Sequence, residues 1–475
     1  MKRRRRQASL RNMKRKRPQA SLRKRKRPVR ASVRKEASGY TVGYDAGYGE
    51  GIRSGQESFG TLFEGTSIII PSYNQVEYLK QCVDSINDHT DLPYEIIVVD
   101  NASADGTANY LRGLGGQVRY RILEENRGFA GAINVGMMMA KGRTILLLNN
   151  DTIVTDRWLN NMLDCINSDP NIGMVGPVTN YISGDQRIEV PYKHVGEIQA
   201  FAQQFNVQDR AKWQRTDRLT GFCLMFRREL WDRTGFLDEG FALGNYEDDD
   251  YNIRVRLQGY TLVVARDTFI HHYGSVSMKA LGERFVEVND HNLQFYMEKW
   301  GNPHELLHRV KEMVRVQGIE GGNPDGQLLP HGETLFFPHG VIVRGAGEAL
   351  FWVEDGIRRP IAGDVTLPVT RLSQVDLRRW PIGEPIGAAE ADARWHGRSI
   401  ESGEQIVNVN GLTAAGPDGA FYVIERGKRR RVASRTAVEQ WGLQHKPLAP
   451  LSLEQVGMLA EGFPIIAPVR VADHL

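Results

Sequence analysis

Short β-rich runs alternate with amphipathic helical patterns from residue 66 onward, and this alternation limits the possible folds more than any other feature. The runs lie at residues 67–70, 95–100, 118–123 and 144–148. All but the third are nearly continuous in apolar residues, as is typical of buried parallel strands. Helically spaced apolar residues follow the first run as far as Ile86 and precede the fourth run from Phe129. The pattern predicts a doubly wound α/β sheet whose ligand lies beyond the carboxyl ends of the strands.

The first 60 residues differ in composition from the rest of the 475-residue chain. Residues 1–35 contain 18 Lys or Arg and no Asp or Glu, which leaves 43 basic against 57 acidic residues in the remainder. The segments QASLR and KRKRP each occur twice, and glycines recur every fourth residue from Gly39 to Gly55. We expect a disordered basic tail and a Gly/Tyr linker over residues 1–60, because such segments cannot bury a core. The charge indicates a contact with an anionic membrane or polymer, although a solvated arm without a partner is the simpler interpretation.

The composition argues against membrane-spanning and disulfide-stabilised classes of protein. No run of about 18 apolar residues offers a transmembrane segment, and the basic start lacks the apolar region of a secretory signal. Cys82, Cys165 and Cys223 are far apart and match no disulfide framework or metal-ligand spacing. We therefore expect a cytoplasmic protein, with a peripheral contact at a membrane through the basic tail.

A diverged duplication occupies the C-terminal part of the sequence. Residues 351–362 match residues 421–433 in order. Further on, four residues recur 79 positions later: Leu372, Ser373, Gly383 and Pro385 as Leu451, Ser452, Gly462 and Pro464. Each copy predicts a β-hairpin that turns at Gly356 or Gly427. Because single cores rarely exceed about 250–300 residues, we predict an α/β domain over residues 61–315 and a β-rich tandem repeat over residues 316–475, for binding or packing and without catalytic residues.

Polar side chains follow three of the predicted strands at the point where each strand ends. The sequence has PSYN at residues 71–74, DNAS at residues 100–103 and NND at residues 149–151. A carboxylate just past a strand accepts hydrogen bonds from a nucleotide or holds a hard cation, for which oxygen ligands are required. Taken singly, a helix cap at Asp100 or Ser103 and a turn at Asp151 explain these residues equally well.

Six ordered stretches together resemble the family 2 glycosyltransferases with the GT-A fold, and in particular their rhamnosyltransferase-like branch. The stretches are residues 67–86, 95–107, 125–136, 146–152, 244–260 and 270–277. The resemblance covers residues 66–310, and the order of several motifs makes it far more specific than any one of them. It implies a metal-dependent hexosyltransferase that moves a sugar, with inversion, from a UDP-, dTDP- or GDP-sugar to a hydroxyl of a glycan or glycolipid acceptor. It also implies Mn²⁺ or Mg²⁺ as cofactor and a role in cell-surface or polysaccharide synthesis.

The same resemblance assigns the nucleotide-binding residues. Pro71, Tyr73 and Asp100 would line the nucleotide pocket. Asn126 and Gly128 would lie in the loop and helix start that close over the nucleotide. A glycine-bearing turn into a helix exposes backbone N–H groups and the positive end of the helix dipole, which suits a diphosphate. Tight packing of the helix is the alternative explanation for the glycine.

The NND stretch aligns with the DxD motif of the family, whose last acid coordinates the divalent cation. Asp151 inherits that role by the resemblance. Asn149 stands where the family has its first Asp, so one negative charge is lost, although an amide still hydrogen-bonds a ribose or sugar hydroxyl. We group Asn149 and Asn150 with the donor-binding residues. His272 is preferred over His271 as the second metal ligand, again by motif alignment.

The EDDD run at residues 247–250 begins a helical pattern and contains the expected general base. The family's ED motif selects Asp248 as the base, with Glu247 beside it on the acceptor side. Acids in a first helical turn also favour the helix dipole, and Asp250 pairs with Arg254 at i,i+4 spacing. At 3.6 residues per turn, only one or two of the four acids are expected to face a pocket.

Two other classes of protein remain as alternatives. A nucleotidyltransferase would need a Gly-rich loop with Lys or Arg directly after the first strand, where this sequence has PSYN. A non-catalytic scaffold that binds glycans or nucleotide sugars would keep the fold, and the loss of charge at Asn149 leaves this alternative open. We expect the polar segment at residues 180–222 to select the acceptor.

Overall fold

An eight-stranded mixed sheet dominates the computed structural model, which describes residues 60–274, 282, 284–317, 332–401, 404–473 and 475. The predicted basic tail, nearly all of the linker and residues 275–277 of the last motif lie outside the described residues. The sheet has the strand order β3-β2-β1-β4-β8-β6-β9-β7. Its strands are β1 Phe63–Ser72, β2 Tyr94–Asp100, β3 Arg119–Ile122, β4 Gly142–Leu148, β6 Ile172–Val178, β7 Trp213–Thr216, β8 Cys223–Arg227 and β9 Thr261–Phe269. A separate ribbon pairs β5 Thr152–Ile153 with β10 His271–His272.

Strand β1 runs parallel to both β2 and β4, and β2 runs parallel to β3, as the apolar runs predict. Strand β3 lies at the edge of the sheet and is largely exposed, which explains why its sequence is the least apolar of the four. Strand β8 runs antiparallel to both β4 and β6, and β7 runs antiparallel to β9. These reversed strands were not predicted, because the apolar pattern of a strand does not encode its direction.

Helices cover both faces of the sheet. The N-terminal helices are α1 Val76–His89, α2 Thr107–Gly113, α3 Gly128–Met139, α4 Trp158–Asn167, α5 Ile198–Phe205, α6 Arg228–Thr234, α7 Glu247–Leu257, α8 Arg284–Trp300 and α9 Pro303–Gln317. Alternate residues of β1 point to opposite faces: Ile69 packs with Ile133 of α3, whereas Ile68 packs with Leu79 of α1. The predicted doubly wound α/β architecture is confirmed. None of the described helices is long and apolar enough to cross a bilayer.

The C-terminal region is rich in β-strands, as predicted. Its strands are β11 Val341–Arg344, β12 Leu350–Glu354, β13 Ile357–Ala362, β14 Val369–Arg371, β15 Ile386–Gly387, β16 Arg398–Glu401, β17 Glu404–Val407, β18 Thr413–Ala415, β19 Phe421–Glu425, β20 Lys428–Val432 and β21 Ala460–Ile465. Its helices are α10 Gln374–Arg378, α11 Ala388–Trp395, α12 Arg435–Gln440 and α13 Leu453–Met458. The strands form one five-stranded sheet, one four-stranded sheet and the β16-β17 ribbon.

The duplication appears as two equivalent hairpins, β12-β13 and β19-β20. Both turns have two central residues with positive φ, Asp355 at 51° and Gly356 at 74° in one, Arg426 at 50° and Gly427 at 71° in the other. This left-handed pair is the conformation that a two-residue hairpin turn requires. The strand registers superpose the hairpins with an offset of 71 residues throughout. Phe351 is therefore equivalent to Tyr422, and not to Phe421 as the sequence match implied.

A short helix follows each hairpin and begins at an equivalent serine. The hydroxyl of Ser373 accepts the N–H of Asp376 at the start of α10, and that of Ser452 accepts the N–H of Gln455 at the start of α13. Such caps satisfy a backbone donor that the helix itself cannot. The offset has grown to 79 residues at these serines, and α12 lies in the inserted segment.

Residues 62–475 form one compact unit. A shared apolar cluster joins Ile253 and Leu257 of α7 and Trp300 of α8 to Val423 and Ile465 of the second repeat. The repeat region therefore packs directly under the helix that carries the EDDD acids. The boundary between domains at residues 315 and 316 stays a prediction.

Candidate active site

A cavity of about 800 Å³ opens at the carboxyl ends of β1 and β4. This is where a doubly wound sheet binds its ligand. Nine of the predicted site residues line it: Pro71, Tyr73, Asn126, Asn149, Asn150, Asp151, Glu247, Asp248 and His272. The fold thus brings residues from five separate sequence motifs to one place.

Asp100 and Gly128 are not among the residues that line the cavity. The Asp100 side chain is fully buried, and its Oδ1 accepts the N–H of Ser103 at 3.0 Å. Neither Asp100 nor Ser103 caps the next helix, since α2 begins only at Thr107. The carbonyl of Gly128 accepts a hydrogen bond from the side chain of Asn101, which lines the cavity. Asp100 and Gly128 therefore lie next to residues that line the cavity but do not line it themselves.

The start of α3 is held by contacts within the protein. Gly128 has φ of +71°, and a Cβ there would lie 3.1 Å from the backbone nitrogen of Leu243. The N–H of Gly128 donates to Asn126 Oδ1 at 2.9 Å, and the N–H of Phe129 donates to the Leu243 carbonyl at 2.8 Å. The expectation that this helix start offers its N–H groups to a diphosphate is therefore wrong for these two groups, because each already has a partner.

Asp151 and His272 face each other because the β5-β10 ribbon pairs Thr152 with His272. The N–H of Tyr273 also donates to the Asp151 carbonyl at 3.0 Å. The two side chains are 4% and 1% exposed, and Asp151 Oδ1 lies 3.2 Å from His272 Nε2. Phe222 stacks on the His272 ring at 5.3 Å with an interplanar angle of 16°, which fixes the plane of the imidazole.

The hydrogen bonding of His272 leaves its Nε2 as an acceptor. Its Nδ1 lies 2.8 Å from the carbonyl oxygen of Tyr181, so Nδ1 carries the hydrogen. Nε2 has no hydrogen-bond partner among the described residues. A lone pair and a carboxylate oxygen 3.2 Å apart repel each other unless a cation or a proton lies between them. Nitrogen and oxygen ligands of this kind, with the second ring nitrogen bound to a carbonyl, fit a divalent cation.

His271 points elsewhere. Its Nδ1 lies 2.7 Å from the hydroxyl of Tyr192, and its ring packs against Tyr192 and Tyr273. The pKa of His271 is lowered to about 4, chiefly by burial and also by the neighbouring His272, against an opposing effect of Asp151. The described residues contain no group of three or more His, Cys, Asp or Glu side chains arranged around a metal. Asp151 and His272 are thus a partial ligand set.

Glu247 and Asp248 begin α7 and are almost fully buried at the cavity. Asp248 Oδ2 accepts the N–H of Gly221 at 2.7 Å, and Oδ1 accepts the N–H of Asp249 at 2.9 Å. The pKa of Asp248 is raised to about 6, chiefly by burial and also by the charge of Asp249, against an opposing effect of Arg218. Burial and the charge of Asp248 hold the pKa of Glu247 well above its usual range. A carboxyl that titrates near neutrality suits general base chemistry.

Three of the four acids, Glu247, Asp248 and Asp249, line the cavity, whereas helical geometry predicted only one or two. Asp249 forms a bidentate pair with Arg218, whose Nε lies 2.5 Å from Oδ1 and whose Nη2 lies 3.2 Å from Oδ2. Arg218 also donates to the hydroxyl of Ser183 at 3.2 Å. The sequence analysis did not identify Arg218, because no motif surrounds it. It lies, however, in the polar segment 180–222 that was expected to select the acceptor.

Comparisons with known proteins were made for sequence and for structure. Residues 67–234 match the family model "Glycosyl transferase family 2". The putative teichuronic acid biosynthesis glycosyltransferase TuaG of Bacillus subtilis is 35% identical over 101 residues, which cover 21% of this chain and 38% of that protein. The glycosyltransferase AglE of Haloferax volcanii is 25% identical over 212 residues, which cover 43% of this chain and 66% of that protein. The chain thus spans less than two thirds of the length of these relatives.

Among solved structures, GalNAc-T7 with UDP, GalNAc and Mn²⁺ matches with a TM-score of 0.39 and 16% identity, covering 55% of this chain and 52% of that one. The mannosyltransferase PcManGT from Pyrobaculum calidifontis in complex with GDP-Man and Mn²⁺ matches with a TM-score of 0.35 and 19% identity, covering 55% of this chain and 78% of that one. The family match agrees with the α/β fold of the GT-A type that the motifs predicted. The similarity to glycosyl transferase family 2 thus covers residues 67–234, which is less than half of the chain.

Proposed function

We propose that the protein transfers a hexose from a nucleoside-diphosphate sugar to an acceptor hydroxyl, with inversion and with Mn²⁺ or Mg²⁺. The observation that carries this proposal is the composition of one cavity. It contains a buried aspartate and histidine that fit a divalent cation, and a buried carboxyl whose pKa is close to neutrality. Metal-assisted departure of a diphosphate and general base catalysis need these two kinds of group.

The donor would occupy the part of the cavity formed by the first strand ends. Pro71 and Tyr73 would contact the nucleotide, and Asn126 would contact it from the loop before α3. Asn149 would bind a ribose or sugar hydroxyl in place of the family's first acid, with Asn150 beside it. The side chain of Asn150 donates to the hydroxyl of Ser72 at 3.1 Å, so it also ties the ends of β1 and β4 together. The donor would be a UDP-, dTDP- or GDP-sugar.

Asp151 and His272 would hold the cation, which neutralises the charge on the leaving diphosphate when it is bound. Asp248 accepts the proton of the acceptor hydroxyl while that oxygen bonds to the anomeric carbon and the bond to the diphosphate oxygen breaks. The N–H of Gly221 orients Asp248 for this step through Oδ2. Glu247 beside it holds its proton more tightly than an exposed glutamate, because burial and the charge of Asp248 raise its pKa well above the usual range.

The biological setting is also part of the proposal. Relatives of this chain include poly-β-1,6-N-acetyl-D-glucosamine synthases of two staphylococci, at 25% and 28% identity. Together with TuaG, they support a glycan or glycolipid acceptor and a role in cell-surface polysaccharide synthesis. The rhamnosyltransferase-like branch, the cytoplasmic location and the contact of the basic tail with an anionic membrane or polymer stay predictions.

A donor scan tests this function. Release of nucleoside diphosphate is measured with UDP-, dTDP- and GDP-sugars, with and without Mn²⁺ or Mg²⁺. We expect consumption of one donor class only with metal, and loss of consumption in Asp151→Asn. Asp164→Asn, at an exposed residue of α4 outside the cavity and outside residues 180–222, is the matched control. Donor binding without turnover would instead favour the non-catalytic scaffold. The absence of both donor binding and turnover would refute the proposal.

A further inference from the structure

The loop at residues 242–246 joins the two sides of the cavity in an unfavourable backbone conformation. Leu243, Asn245 and Tyr246 have φ values of 56°, 80° and 73°. Residues with a Cβ rarely adopt this left-handed region, and they keep it only where their surroundings enforce it. The loop therefore needs an external anchor.

The anchor is Asn292, a fully buried residue of α8. Its Nδ2 lies 2.9 Å from the Ala242 carbonyl, 2.8 Å from the Gly244 carbonyl and 3.1 Å from the Asn245 carbonyl. Its Oδ1 accepts the N–H of Ala242 at 2.8 Å. A side-chain amide both donates and accepts, so it can satisfy carbonyl and N–H groups of the same loop at once. An aliphatic side chain would make none of these hydrogen bonds, although the Ala242 carbonyl would keep the N–H of Gly244 at 2.6 Å as a partner.

The position of the loop relates this anchor to the proposed reaction. The Leu243 carbonyl accepts the N–H of Phe129 at the start of α3, and Leu243 also limits the space at Gly128. Every residue from Leu243 to Asp249 lines the cavity, and α7 with its acids begins directly after Tyr246. A shift of the loop would therefore move both the nucleotide-side helix start and the proposed base.

We propose that Asn292 is a positioning residue that holds the loop 242–246 and thereby sets the positions of Glu247 and Asp248 against the donor; this rests on the proposed function. A second contact of the same helix supports the role. The Phe295 ring packs edge-on against Phe241 at 4.9 Å, just before the loop. Helix α8 thus contacts the loop through Asn292 and through Tyr296, whose ring lies 5.7 Å from that of Tyr246, and it contacts the residue before the loop through Phe295.

The test compares Asn292→Ala with two controls. Gln294→Ala changes an exposed residue of the same helix, and Ile424→Ala destabilises the core of the second repeat, away from the loop. At a temperature where all variants are folded, we expect Asn292→Ala to lose about 10- to 100-fold in kcat, since a misplacement of about 1 Å has effects of this size. Both controls should keep kcat, although Ile424→Ala lowers the unfolding midpoint. Should Asn292→Ala not fold, Asn292→Ser keeps one donor and is expected to lose less of kcat.

A second readout does not require turnover. Hydrogen exchange of the backbone amides at residues 242–249 should become faster in the Asn292 variant and stay unchanged in Ile424→Ala. Faster exchange with an unchanged kcat would overturn the positioning role, and unchanged exchange would overturn the anchoring itself. If the unmodified protein consumes no donor, the proposed function fails, while the exchange result still decides whether Asn292 holds the loop.

Discussion

Helix α7 carries two sets of buried charges that differ in how they are paired. Glu247 and Asp248 face the cavity, and the contacts of Asp248 are with backbone N–H groups. Asp250 lies within the same first turn but faces the interior, where its Oδ1 lies 2.5 Å from Lys299 Nζ and accepts the Trp300 indole N–H at 2.9 Å. Lys299 also donates to Asp238 at 2.6 Å. Asp248 and Asp250, two residues apart in the first turn, therefore have opposite electrostatic surroundings.

One turn further along α7, Arg254 forms a bidentate pair with Glu333, which lies in the short helical segment Gly332–Phe336 before β11. Arg254 also approaches Asp250 at 3.5 Å, so the i,i+4 pair expected from the sequence is present, although it is buried and not on the surface. Burying a charge costs free energy unless it is paired. Asp250 is paired with cations and holds the helix, whereas no cation among the described residues forms an ion pair with Glu247 or Asp248, and the pKa values of these two acids rise. The difference separates the charges that fix α7 from those available for chemistry.

The largest effect is expected when one of the acids that face the cavity is changed. Asp248→Asn keeps the shape and removes the base, so turnover should fall by about 10²- to 10⁴-fold. Donor binding, measured by calorimetry, and the circular dichroism spectrum should stay as in the unmodified protein. Loss of donor binding in this variant would assign Asp248 to the nucleotide and remove it as the base.

Changing one of the charges that face the interior should mainly affect the stability of the fold. Lys299→Met leaves Asp238 and Asp250 as buried carboxylates without their shared cation, which costs about 3–5 kcal/mol of unfolding free energy. Lys311→Met, at an exposed lysine of α9, should have almost no effect. Denaturant unfolding measures both variants. Equal stability of the two would show that the Lys299 pairs do not hold α7.

The pH dependence sharpens the same contrast. Because its pKa in the folded protein is about 6, against an ordinary value of 3.8, Asp248 binds a proton more tightly in the folded state. Its contribution to stability is therefore lost as pH rises from about 4 to 6, while kcat/KM rises through the same range as the base becomes ionised. Asp248→Asn should lack the stability change. A kcat/KM that is flat between pH 5 and pH 7 would contradict the assignment.

The smallest effect is expected at Lys446, a buried charge of the repeat region. Its Nζ lies 4.4 Å from the ring centroid of Trp395 and 5.9 Å from that of Trp352. Burial lowers its pKa to about 7 from 10.5, against an opposing effect of Glu425. The unfolded state thus binds more protons between these values, and stability should rise with pH from 7 to 10.

Lys446→Met should remove that rise and stabilise the protein at pH 7 by about 1–4 kcal/mol, less any cation–π attraction that is lost. Thermal unfolding at pH 7 and pH 9 measures both effects. A destabilised variant would show that the ammonium group is favourable where it lies.

The sequence predicted the parts of the fold that have a local pattern. Strands β1, β2 and β4 are apolar because both faces of the sheet are covered, and Gly356 and Gly427 mark turns that need a left-handed backbone. The direction of β8 has no such local signal. Asp151 and His272 were selected by motif, but their 3.2 Å approach depends on the two-residue strands β5 and β10, which are too short to show a periodicity.

Arg218 and Asn292 were not identified, because each acts on residues distant in the sequence. Asp249 is 31 residues from Arg218, and the carbonyl groups around Asn292 are 47 to 50 residues away. Neither residue lies in a recognisable motif, and an asparagine inside a helix gives no sign that it is buried. Positioning contacts of this kind become visible only when the chain is folded.

The most direct test of the account is the binding of Mn²⁺ with a nucleoside diphosphate, followed by electron paramagnetic resonance. The unmodified protein should bind Mn²⁺ together with UDP, TDP or GDP, and Asp151→Asn and His272→Ala should each weaken this binding by at least about 10-fold, as expected for metal ligands and their neighbours. Binding of Mn²⁺ and the diphosphate by both variants as tightly as by the unmodified protein would contradict the metal site and, with it, the proposed transfer reaction.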